Sequence, residues 1–415
     1  MRAAVTGDPR PLKISMVSEQ ASPLAGWSES GTHRQSVHVA ELSGALARAG
    51  HDVTVFTRRE DDRTPERVDT EAGYTVVHVP VGPSERIPVD DTLQLMGEFG
   101  GYLEDSWDVD RPDIVHAHFW MSGIATQLAT RILGIPTIQT FHALGVVENR
   151  FSQAPKPRAN QRVRLEQLIA RGATRVVATC TDEVFELSHL GLPRSRTSIV
   201  PGGVDLSVFT PEGRRLEKGR AHRLVMAGDL LPSKGIDTAI AALKWLPDTE
   251  LVIAGGPDPA ALDDDQEASR LRTVARRARV QDRVHLLGWV PHEDMPALYR
   301  SADAVVCAPW YEPFGTAPLE AMACGTPVVA AAVGSLRETV VDGITGRLVP
   351  PRNPKRLADA TRQLIEDESA RSGFGLAGRD RVRARYSWDR VASETLRAYA
   401  RCVSAPPKHA KAAAN

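Results

Sequence analysis

A chain of 415 residues, 42% of them hydrophobic, is long enough for two or three domains with large buried cores. Its 51 Lys and Arg against 52 Asp and Glu leave a net charge of −1, which gives no reason to expect nucleic acid as a partner. There is no run of about 18 apolar residues to form a transmembrane helix. Residues 1 to 11 lack the apolar core of a secretory signal. Cys180, Cys307, Cys324 and Cys402 show no pairing rhythm or metal-ligand spacing and read as reduced core residues of a cytoplasmic protein.

In chain order, LKISMVSE from Leu12 reads as a strand. A Ser/Gly-rich loop through Ser30 follows, then a helix from Val37 to Ala49 that Gly50 ends. HDVTVFT begins the next strand, which makes a βαβ unit of a parallel sheet. Further strands are expected at Tyr74 to Val79, Asp113 to His116, Thr137 to Thr140, Arg175 to Thr179 and Thr197 to Val200, closing a first domain over 12–205. His116 and His118, near the end of one strand, are expected to split, one toward the core and one toward a cleft. Pro155 to Arg175 is basic and partly helical, and its plain reading is a solvated helix face.

After the polar link Thr210 to His222 the alternation restarts. Strands are expected at Arg223 to Ala227, Leu251 to Ala254, Val284 to Leu287, Ala304 to Ala308, Val328 to Ala331 and Gly346 to Val349. Helices are expected at Ile236 to Leu246, Glu267 to Ala278, Met295 to Ser301 and Pro318 to Ala323. Together they make a second domain over 221–385, followed by a last helix over 386–404 and a disordered Pro/Ala/Lys-rich tail over 405–415. Asp263, Asp264 and Asp265 lie in a polar connector before a helix and read as caps rather than metal ligands.

The most informative stretch is Trp310 to Val329, WYEPFGTAPLEAMACGTPVV. Glu312 and Glu320 have seven residues between them, and a short helix with Pro318 at its first position surrounds the second. Unpaired N–H groups at such a helix start favour a ligand rich in charge or hydroxyl oxygens. Each carboxylate can accept from two neighbouring hydroxyls, which suits a sugar or a ribose.

This pattern resembles the retaining glycosyltransferases of family 4, and over roughly residues 12–400 the chain is similar to actinobacterial group 1 glycosyltransferases. The resemblance implies the GT-B fold: two doubly wound, Rossmann-like α/β domains facing each other across a cleft, with the last helix crossing back to the first. It implies transfer of a sugar from a UDP- or GDP-sugar to an acceptor hydroxyl with retention, without a metal or any cofactor beyond the co-substrate. The acceptor is a small molecule, a glycan or a lipid, the last bringing contact with a membrane surface. The alternative is a weakly active or non-catalytic nucleotide-sugar-binding protein of the same fold.

Carried over residue by residue, Glu312, Phe314, Gly315 and Thr316 would hold the sugar and Glu320 the ribose. Gly228, Asp229 and Lys234 lie in the segment similar to the diphosphate loop, where a lysine near a helix start suits a phosphate. Gly288, Trp289 and Val290 would face the base, with packing an equal reading for Trp289. Pro201 to Asp205 resembles the turn at the domain junction. His142 would hydrogen-bond the sugar near the reacting carbon, so His142, Glu312 and Lys234 are the expected catalytic residues. Arg34, Phe119, Arg158 and Arg162 fall on the acceptor side. Relatives that accept inositol phosphate are expected to carry a tyrosine and a threonine near Phe119 and Ala143, and neither residue has a hydroxyl.

Two departures stand out. Asp229 replaces an arginine expected beside the diphosphate, and a charge pair at about 4 Å and an effective dielectric near 20 is worth roughly 4 kcal/mol gross. His33-Arg34 replaces a double glycine in the first-domain loop. The expectation is that these compensate each other, with Arg34 reaching across the cleft to Asp229.

Overall fold

The computed structural model describes residues 10–25, 33–151 and 159–403. The first domain comprises β1 (Lys13–Val17), α1 (His33–Arg48), β2 (Asp52–Arg58), β3 (Arg67–Asp69), β4 (Thr75–Val79), α2 (Met96–Val109), β5 (Ile114–His118), α3 (Trp120–Leu133), β6 (Thr137–Thr140), α4 (Gly145–Phe151), α5 (Ala159–Gly172), β7 (Arg175–Ala178), α6 (Thr181–His189) and β8 (Thr197–Ile199). Its sheet runs β3-β4-β2-β1-β5-β6-β7-β8, parallel except for the antiparallel edge strand β3. The central strands β1, β5 and β6 are almost wholly buried, polar residues included, because helices cover both faces.

The second domain comprises β9 (His222–Ala227), α7 (Ile236–Ala242), β10 (Thr249–Ala254), α8 (Gln266–Ala278), β11 (Val284–Gly288), α9 (Met295–Ser301), β12 (Ala304–Cys307), α10 (Thr316–Ala323), β13 (Val328–Ala331), α11 (Leu336–Thr339), β14 (Gly346–Val349), α12 (Pro354–Glu366) and α13 (Glu368–Arg385). Its parallel sheet runs β11-β10-β9-β12-β13-β14, with two cores, one on each face. Helix α14 (Trp388–Val403) leaves this domain. Its apolar stripe, Trp388, Val391, Ala392, Ala398, Tyr399 and Cys402, is buried with Ile14, Val39 and Leu42 of the first.

Several boundaries differ from the sequence reading, each for a local reason. Helix α1 begins at His33, so His33-Arg34 forms a helical turn rather than a loop. Helix α10 begins at Thr316 with Gly315 as its N-cap, so Pro318 is not the first helical residue. The helix expected through Leu246 gives way after Ala242 to a single 3₁₀ turn. Helices α12 and α13 were not anticipated, although Asn353 and Asp367 cap them, accepting from the N–H of Arg356 and Ala370. All four cysteines are buried thiols. The expected tail over 405–415 lies outside the described residues.

Candidate active site

In an open parallel sheet the crevice forms where neighbouring strands send their connections to opposite sides. That point lies between β1 and β5 in the first sheet and between β9 and β12 in the second. The strand ends there carry Gly228-Asp229 after β9 and the 308–315 loop after β12. The turn holding Lys234 packs on that loop because Gly235, at φ 68, has no side chain. A Cβ there would fall 1.9 Å from the Ala308 carbonyl oxygen.

Four charges converge in this crevice. Lys234 Nζ donates to Glu312 Oε2 at 2.8 Å. From the opposite domain, Arg34 Nη2 donates to Asp229 Oδ2 at 3.0 Å, and its Nη1 lies 3.9 Å from Glu312 Oε1. Arg34 therefore points toward Lys234 and Asp229 from the first turn of α1. Burial alone would raise the Glu312 pKa, but Lys234 and then Arg34 outweigh it and hold the carboxyl at about 2. The N–H groups of Phe314 and Gly315 also lean on Glu312 Oε1 at 3.4 Å, and no side chain caps the start of α10. The result is a fixed carboxylate between two cations at an open helix start.

Glu320, buried in α10, accepts from the Tyr299 hydroxyl at 2.7 Å and lies 3.7 Å from His292 Nε2. Gly228, Trp289, Val290 and Thr316 line the same cleft as Lys234, Glu312 and Glu320. Trp289 is fixed through its backbone N–H, which donates to the Pro257 carbonyl at 2.8 Å. Phe314 lies against the first domain, its ring stacked on that of His142 with centroids 5.5 Å apart.

His142 belongs to a buried histidine cluster. Its backbone has φ 61, and the Ala143 N–H donates to the Phe141 carbonyl at 2.7 Å, closing a strained three-residue turn. His118 Nε2 faces Met16 Sδ at 3.4 Å, and a thioether sulfur can only accept, which places the His118 hydrogen on Nε2. His118 Nδ1 then accepts from His142 Nε2 at 2.9 Å. That leaves His142 Nδ1 as an unprotonated nitrogen without a hydrogen-bond partner among the described residues. In this tautomer the His142 Nδ1 is an acceptor. The expected split of His116 and His118 is also corrected: residues two apart on a strand share a face, and their rings lie 4.2 Å apart, both buried. His116 continues the cluster to the Tyr399 hydroxyl on α14 at 2.8 Å.

The acceptor-side residues fare differently. Phe119, at φ 75, is buried under the Arg162 guanidinium, 5.2 Å from the ring centroid. Arg162 also donates to Glu166 at 2.8 Å, Glu148 at 3.1 Å and the Ala143 carbonyl at 2.9 Å. This guanidinium ties α4 to α5 and is neither a solvated helix face nor a ready phosphate contact. Arg158 lies outside the described residues. Asp265 caps α8 by accepting from the Ala268 N–H at 2.7 Å. Among the described residues no group of three or more His, Cys, Asp or Glu is placed to hold a metal ion.

Residues the sequence reading passed over include Tyr299, His292 and the pair Gly255-Gly256, all lining the cleft. A Cβ on Gly255 would lie 2.1 Å from the Gly228 carbonyl oxygen. Two glycine sites at adjacent strand ends, Gly228 and Gly255, were the available signal.

Comparison with known proteins bears on this geometry. Residues 35–208 match the family described as Glycosyltransferase Family 4, and residues 213–381 match Glycosyl transferases group 1. The D-inositol 3-phosphate glycosyltransferase of Xylanimonas cellulosilytica is 33% identical, the alignment covering 95% of this chain and 98% of that protein. Its namesake from Mycobacteroides abscessus is 34% identical, covering 95% and 90%. Sucrose-phosphate synthase from Thermosynechococcus elongatus superposes with a TM-score of 0.82 at 28% identity, covering 94% of this chain and 98% of that one.

Proposed function

The chain belongs to glycosyltransferase family 4, and on that premise we propose that it transfers a sugar from a UDP- or GDP-sugar to an acceptor hydroxyl, with retention at the anomeric carbon and without a metal ion. The observation that carries this reading is the convergence of Lys234 and Arg34 on Glu312 and Asp229 at the open start of α10. Two cations held by two carboxylates form a site that a diphosphate enters by exchange, taking over the guanidinium and ammonium contacts. Glu312, ionised at neutral pH, then accepts from sugar hydroxyls, and Glu320, held by Tyr299, accepts from the ribose. His142 Nδ1 accepts from one further hydroxyl near the reacting carbon.

In the transfer, the bond from the anomeric carbon to the diphosphate oxygen breaks and its electron pair leaves with the diphosphate. The acceptor oxygen forms the new bond on the same face, and the leaving phosphate takes its proton. Lys234, Arg34 and the α10 N–H groups stabilise the charge that develops on the diphosphate. Asp229 and Arg34 thereby have a joint role, which argues against loss of function in this loop.

Incubation with UDP-, GDP- and ADP-sugars without acceptor, followed by proton NMR, tests the reading. One donor is expected to release its sugar first as the anomer it carried. Initial release of the opposite anomer would refute retention.

A further inference from the structure

Beyond Phe314 the space between the domains widens into a groove of about 880 Å³, within the usual range for a small-molecule site. Thr179 and Arg194 line it from the first domain, Ser335 and Arg385 from the second, and α14 adds Arg397 and Arg401. Arg34, Asp229 and Lys234 line the diphosphate cleft instead.

The groove is more basic than its own ion pairs absorb. Its acidic side chains are engaged: Glu338 accepts from the Thr181 N–H at 2.6 Å, Asp342 accepts from the Leu348 N–H at 2.9 Å, and Glu394 lies 3.4 Å from Arg390. Arg194, Arg385, Arg397 and Arg401 are all exposed, and none of their side chains makes a hydrogen bond or ion pair among the described residues. The segments outside those residues hold two acidic side chains, Asp8 and Glu29, too few to neutralise all four. Arg397 and Arg401 stand one turn apart on α14, a spacing at which like charges repel. The last turns of α13 and α14 give Arg385 and Arg401 a local reason, but not Arg397 or Arg194.

The groove also holds the loop that carries Glu312. The Thr179 hydroxyl donates to the Pro313 carbonyl at 3.0 Å and the Ser335 hydroxyl to the Glu312 carbonyl at 3.0 Å, and both side chains line the groove. Phe314 lines both the groove and the space beside Thr316 and Glu320.

We propose that this groove binds a compound carrying two or more phosphate groups, and that its occupancy tightens nucleotide binding in the diphosphate cleft. Guanidinium groups pair bidentately with phosphate oxygens. A ligand held between Arg194 and Arg385 joins the two domains, as a diphosphate between Arg34 and Lys234 does, so each favours the arrangement the other needs. The groove site stands without the transferase reading, whereas its effect on the cleft rests on the donor site of that reading.

The test is titration calorimetry of the full chain with its cleft filled by the preferred nucleoside diphosphate. Fructose 1,6-bisphosphate is expected to bind saturably, about tenfold or more tighter than fructose 6-phosphate. Arg397→Ala combined with Arg401→Ala is expected to weaken the bisphosphate about tenfold or more, with the melting temperature and the nucleoside diphosphate affinity in its absence unchanged. In the native chain, saturating bisphosphate should raise nucleoside diphosphate affinity about fivefold or more. Competition for a single site would lower it instead. Cosedimentation with phosphatidylcholine vesicles, with and without phosphatidylinositol 4,5-bisphosphate, separates the sources: binding to the vesicles alone, lost in the double variant, assigns the phosphates to a lipid headgroup. Binding of neither probe, binding that the double variant retains, or a lowered nucleoside diphosphate affinity would overturn the proposal. Nucleoside diphosphate binding to the native chain alone tests the donor site separately.

Discussion

Arg34 and Asp229 matter less as a tether than as a binding surface. Their side chains are 28% and 39% exposed, so the pair contributes only about 0–1 kcal/mol to stability. A charged hydrogen bond to a diphosphate is worth about 1.5–3 kcal/mol, so Arg34→Ala should raise the donor KM roughly tenfold to a hundredfold while barely moving the melting temperature. Adding Asp229→Arg should then recover most of the loss, because the cation returns from the opposite wall. Donor KM values of the single and double variants check this. An unchanged KM in Arg34→Ala would remove Arg34 from the site. The pairing was legible because both departures sit in motifs expected to face one ligand and carry opposite charge. The Lys234 to Glu312 bond was not, because residues 78 apart meet only once both loops fold onto the end of β12.

At the level of elements, β5, α1, α14 and the turn after β6 bury four histidines together. Burial lowers the pKa of His38 to about 4 and of His116 to about 3, and moves His118 and His142 down as well. Between those values and the ordinary value near 6.5, the unfolded chain binds protons that the folded chain does not. Stability therefore falls as pH drops below about 6.5, by about 1.4 kcal/mol per pH unit for each such histidine. Glu19 acts with the opposite sign, because burial raises it to about 7. The cleaner readout is thus a difference: urea unfolding from pH 7 to 5 should show a shallower loss in His38→Gln than in the native chain. Identical slopes would contradict this account. Periodicity made the strands legible almost to the residue, as at β6 and β13. It placed helix starts less well, since Gly315 caps α10 through its backbone conformation and no side chain announces it.

At the scale of the molecule, the chain crosses between domains twice at one place. Val204 N–H donates to the Tyr386 carbonyl at 2.9 Å, Val204 pairs with Ser387 as a parallel bridge, and Gly203 lies against the Trp388 ring. Away from this junction the domains also meet through Arg34 to Asp229, the Thr181 N–H to Glu338 at 2.6 Å, and the stacked rings of His142 with Phe314 and Phe151 with Tyr311. The two-domain plan was legible because the strand and helix alternation restarts after a polar link. How closely the domains approach was not, since it depends on side chains far apart in the chain.

The most direct measurement is nucleoside diphosphate release from the preferred donor without acceptor, comparing the native chain with Glu312→Ala. The account predicts slow, repeated turnover by the native chain and a loss of about a hundredfold or more in Glu312→Ala. Nucleotide binding without turnover by the native chain, or equal turnover by both, would contradict it.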